Sequence, residues 1–108
     1  EVAARSGAKV VLEESALPVR REVAGVCDLL GLDPLALACE GRALAWVASE
    51  DAELALEAMR SHPLGAESEM IGRMDAGVSG APPVVMKTRV GGERPLDLLS
   101  GLDLPRIC

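Results

Sequence analysis

Trp46 is the only aromatic residue in a chain of 108, which has neither Phe nor Tyr. Its 49% hydrophobic content therefore rests on Leu, Val, Ala, Met and Ile. A core of that kind is assembled from many small or branched pieces rather than a few large rings. The length suits one domain of the common size, about 100–150 residues. The same shortage removes some functions. Base-stacking platforms need several aromatics, and a net charge of −6 offers no concentrated basic face for phosphates.

No apolar stretch approaches the roughly 20 residues a membrane helix requires. The start lacks the basic segment and apolar run of a signal peptide. It also lacks an initiator Met, so residue 1 is expected to lie inside a longer chain. The cysteines, Cys27, Cys39 and Cys108, are odd in number and none form a CxxC pair; His62 is the sole histidine. Neither a disulfide framework nor a structural zinc is expected, and a reducing, cytoplasmic compartment fits best.

Along the chain, residues 1–6 (EVAARS) read as the end of a helix closed by Gly7. Residues 9–13 (KVVLE) read as a strand, and 14–18 as a loop. Val19, Val23, Val26, Cys27 and Leu30 then make one helical stripe, predicting a helix over 19–30 that ends at Gly31. Asp33-Pro34 has the form of an N-cap followed by proline at the first helical position, and predicts a short turn through Leu37. Residues 43–48 (ALAWVA) are continuously apolar, as in a strand covered on both faces, with Trp46 as core filler. Ser49 is placed to cap a helix over 50–61. Glu50, Asp51 and Glu53 sit at its positive end and Arg60 at the other, and Ala52, Ala55, Leu56 and Met59 form its buried stripe. His62-Pro63 stops it.

The period then changes. Residues 70–74 alternate weakly. Val84, Met86, Thr88 and Val90 alternate clearly with Lys87 and Arg89, and Gly91-Gly92 reads as a two-residue hairpin turn into a partner strand over 94–99. The expected fold is α+β, a mixed sheet with helices packed on one face. Residues 1–100 form its domain, and 101–108 a mobile tail, since Pro105 cannot extend an interior strand.

Two places could carry chemistry. Cys108 presents a thiol at the end of a reachable arm. Its own α-carboxylate disfavours the thiolate, so activation must come from a partner site or from Arg106. The plain alternative is a frayed end that finishes in cysteine. Glu40 stands at the mouth of the apolar run beside Gly41, which lets another group approach closely, and has the form of a general base. The alternative is a solvated loop acid or a partner for Arg42. Cys39 reads as a small buried residue, with a reactive thiol as the alternative, and Cys27 as core on its helix stripe; His62 reads as a surface or capping residue, and Met70, Met74 and Met86 as packing. No phosphate-binding loop of the GxxxxGK[ST] or GxGxxG type occurs.

Residues 12–19 (LEESALPV), 30–38 (LGLDPLALA), Glu40-Gly41, 62–65 (HPLG) and the terminal 104–108 (LPRIC) resemble, in order, the hydrogenase maturation factor HypE family. The likeness spans the whole chain, and its terminal Pro-Arg-Ile-Cys is the most specific part. It implies the C-terminal domain, an α+β sandwich, of a superfamily that includes aminoimidazole ribonucleotide synthetase, selenophosphate synthetase and thiamine-monophosphate kinase. Most of the ATP site would lie upstream. The implied activity is ATP-dependent dehydration of a carboxamide on the terminal thiol, here Cys108, to a thiocyanate, the cyanide donor for [NiFe] hydrogenase. HypF would supply the carbamoyl group, and the HypC–HypD complex would accept the cyanide on iron.

ATP and Mg would bind the full-length protein, commonly a homodimer, and neither is expected on this fragment, which alone would be inactive. Glu40 matches the acid of the family's Asn-Glu-Gly motif and is implied as base, with Gly41 beside it. Pro105 and Arg106 position the tail. Cys39 stands where the family usually has Asn, which leaves a polar contact missing or replaced. Two other readings stay open: a different superfamily synthetase or kinase with an incidental terminal cysteine, and a non-catalytic module that docks partners.

Overall fold

The computed structural model describes residues 2–96. They divide into two compact units. One joins the residues up to Leu17 with those from Glu69 onward, and the other contains Pro18–Ser68.

The first unit is a four-stranded sheet with one short helix. Helix α1 (Val2–Ser6) ends at Gly7 as the sequence predicts, and it lies against strand β1 (Ala8–Glu13). Strands β2 (Gly72–Ala76), β3 (Val84–Lys87) and β4 (Glu93–Pro95) complete the order β2-β1-β3-β4. β1 pairs antiparallel with β2 and parallel with β3, and β3 pairs antiparallel with β4, so the sheet is mixed. β-branched and aliphatic residues concentrate at its centre, where Val11 aligns with Val85 and Leu12 with Met86. Val11, Val85 and Met86 are buried, as is Ala3 from α1. Val85 and Met86 are consecutive and therefore point to opposite faces, so β3 is covered on both. Pro95 is tolerated because β4 is an edge strand.

The β3–β4 connection differs from the expected two-residue turn. Thr88 and Gly92 close the hairpin, with Thr88 N–H donating to the Gly92 carbonyl at 2.7 Å and Gly91 N–H to the Thr88 carbonyl at 2.9 Å. The loop is thus three residues, Arg89, Val90 and Gly91, and Gly91 takes the left-handed angle (φ 88°) that such loops require. The Thr88 hydroxyl also accepts from Gly92 N–H at 2.9 Å, which ends the strand earlier than alternation alone predicts. β4 begins at Glu93 rather than Arg94, and residues 97–99 of the predicted strand lie outside the described residues. Ser79-Gly80 forms the expected turn, closed by Ala81 N–H to the Val78 carbonyl at 3.1 Å.

The second unit is helical. Helix α2 (Arg21–Leu30) starts two residues after the predicted point, because Arg20 is extended and serves as its N-cap. Gly31 terminates it in the left-handed conformation, and Leu32 N–H returns to the Cys27 carbonyl at 2.9 Å. Helix α3 (Ala52–Arg60) is preceded by a 3₁₀ turn at Ser49–Asp51, so Ser49 lies within that turn rather than capping the helix. Its stripe is half-buried at Ala52, Ala55 and Leu56, while Met59 is exposed. His62 caps the next turn, Pro63–Gly65, its Nδ1 accepting from Leu64 N–H at 3.2 Å.

The strand expected at 43–48 is absent: those residues are irregular and exposed, Trp46 among them. The apolar run carries the sequence signal of a strand, but a strand also needs a neighbour for its ladder, and the described part of this unit contains none. Met70 lies outside the strands and is exposed, and Met74 is partly exposed on β2, so only Met86 of the three packs fully.

Candidate functional site

The segment that carries Glu40 is built from a local capping device. The Asp33 carboxylate accepts from Leu35 N–H at 2.9 Å, and Pro34 opens the 3₁₀ turn Pro34–Ala36. Leu37 then turns extended and the chain leaves regular structure through residue 48. Gly41 has φ 74°, and a Cβ added there would meet nothing within 4 Å. Glycine is thus demanded by the backbone angle and not by crowding, and it bends the chain directly after Glu40.

Glu40 is exposed, and no hydrogen bond or ion pair holds it among the described residues; it does not pair with Arg42. Such a carboxylate is open to solvent and to any group that approaches the loop. Cys39 is exposed as well, against the expectation of a buried residue, because the segment around it packs under nothing in its unit. Cys27, in contrast, is buried on α2 as expected. Cys108, Pro105 and Arg106 lie outside the described residues. Of the predicted site residues, only the neighbours Glu40 and Gly41 are therefore seen together.

Sequence reasoning missed a charged ladder on the sheet. The Glu13 carboxylate lies 3.5 Å from Lys87 Nζ and 3.7 Å from Arg73 Nη1, while Arg73 Nε reaches Asp75 at 3.1 Å. The register Glu13↔Lys87 brings the first pair together across β1 and β3. Charged residues at strand ends were visible in the sequence, but only the register assigns partners. Glu14 was likewise unremarked: its carboxylate accepts from Arg89 N–H at 2.8 Å and fastens the hairpin loop to the end of β1. The same unit has an open hollow of ≈ 250 Å³ lined mainly by small residues such as Ala4, Gly7, Gly77 and Pro82, with Lys9 as its one charged side chain. Neither feature includes a predicted site residue.

No three His, Cys, Asp or Glu residues converge as metal ligands among the described residues. No described helix is long and apolar enough to cross a membrane.

Comparison with known proteins gives a consistent picture. Residues 1–84 match the family described as AIR synthase related protein, C-terminal domain. Over all 108 residues the chain is 49% identical to the carbamoyl dehydratase HypE of Rhodobacter capsulatus, and it spans 31% of that protein. A crystal structure of the hydrogenase maturation protein HypE superposes with a TM-score of 0.88 at 41% identity, covering 99% of this chain and 35% of that one. A HypE structure in complex with ATP gives 0.84 at 38% identity over 94% of this chain and 32% of its own. A HypE–HypF complex gives 0.80 at 34% identity over 89% of this chain and 30% of its own.

Proposed function

This chain belongs to the family of AIR-synthase-related C-terminal domains, and from that premise we propose that it is the C-terminal part of an ATP-dependent carbamoyl dehydratase of hydrogenase maturation. The observation that carries the reading is the 49% identity, along the full 108 residues, to a protein named for that activity. The chain spans about a third of that relative, so the activity belongs to the longer polypeptide.

The reaction begins with a carbamoyl group on the Cys108 thiol, placed there by a HypF-type partner. The carboxamide oxygen attacks the γ-phosphorus of ATP, ADP leaves, and one amide proton is lost. Loss of the second N–H proton then expels phosphate and leaves the thiocyanate. Carboxamide and ATP thus become thiocyanate, ADP and phosphate, with the elements of water carried by phosphate. Delivery of cyanide to iron on a HypC–HypD-type acceptor then breaks the Cys108 S–C bond and takes up two electrons and a proton, supplied by that acceptor complex, which returns Cys108 to its thiol.

Two requirements fall on this chain. The thiol must be reachable by both the carbamoylating enzyme and the ATP site, and a terminal residue meets that need without threading a loop. The amide protons need an acceptor, and Glu40, exposed and followed by a bend at Gly41, is the carboxylate assigned to that role. Pro105 and Arg106 are assigned to presenting the thiol, and Arg106 supplies positive charge beside it. ATP is held by the part of the polypeptide outside these residues. Magnesium is assigned, with ATP, to the longer polypeptide. The assembly is expected to be a homodimer, in a reducing compartment.

The test uses the full-length protein with a HypF-type partner, carbamoyl phosphate and ATP. Glu40→Gln should still accept the carbamoyl group while phosphate release falls by about 10²–10⁴-fold, the usual contribution of a general base. Undiminished phosphate release by Glu40→Gln removes Glu40 from the mechanism. Full ATP turnover by Cys108→Ala removes the terminal thiol, and with it the dehydratase reading.

A further inference from the structure

We draw no further inference here: the strongest candidate, the exposed Cys39 thiol in the loop beside Glu40, is a single cysteine, and nothing else among the described residues shows what it would meet.

Discussion

Replacing Met86 by Ala tests where the first unit keeps its core. Met86 is 2% exposed in β3, aligned with Leu12 on one side and Arg94 on the other. Truncation removes three heavy atoms from a site bounded by strands on both sides, which can collapse little, so the cost should approach the range of about 2–5 kcal/mol for buried large-to-small changes. Met74 is the matched control, because it lies in the same sheet and undergoes the same chemical change. It stands on the edge strand β2 and is 37% exposed, so its truncation gives up less buried surface and leaves no closed cavity. About 1 kcal/mol is expected there.

The gap of about 2 kcal/mol corresponds to a factor of about 30 in the local opening equilibrium. Hydrogen exchange at the β1 and β3 amides, measured against urea, reads that equilibrium whether or not further polypeptide is attached. Met86→Leu, which nearly conserves volume, should recover most of the loss. Equal costs for Met86→Ala and Met74→Ala would refute the assignment of the core to the β1–β3 seam.

Two further outcomes follow from the same sheet. Glu14→Ala should release the Arg89 amide, raising its exchange and costing about 0.5–1.5 kcal/mol, while Glu14→Gln keeps an acceptor and most of the protection; equal exchange in the two variants contradicts the fastening role. Gly77→Ala should lower the melting temperature at a cost of about 1–3 kcal/mol, because the added Cβ runs into the Gly7 carbonyl; an unchanged melting temperature means the two segments do not approach as described.

What could be read from the sequence divides along a physical line. Features encoded within a few residues were legible: the close of α1 at Gly7, the Asp33-Pro34 cap, the stop at His62-Pro63 and the left-handed glycine after α2 each depend on local chemistry. The α+β class and the mixed sheet followed from the change of period, and the resemblance carried by Glu40-Gly41 and Pro-Arg-Ile-Cys pointed to the family that the comparison with known proteins gives. Features that depend on a distant partner were not legible. The run at 43–48 has the composition of a strand but makes no ladder among the described residues, and Cys39 and Trp46 are exposed for the same reason. Glu13, Arg73 and Lys87 become a cluster only through the strand register. The hairpin was placed correctly, but the Thr88–Gly92 closing pair made its loop one residue longer than the glycine pair indicates.

The dehydratase account stands or falls on the chemistry at the terminal thiol. The direct measurement is the intact mass of the full-length protein, with peptide mapping of the C-terminus, after incubation with a HypF-type partner and carbamoyl phosphate, before and after ATP. The account predicts a carbamoyl adduct on Cys108 that, with ATP, loses the mass of one water to become the thiocyanate. An adduct on Cys39 or Cys27 instead, or a carbamoyl group on Cys108 that ATP leaves unchanged, would contradict it.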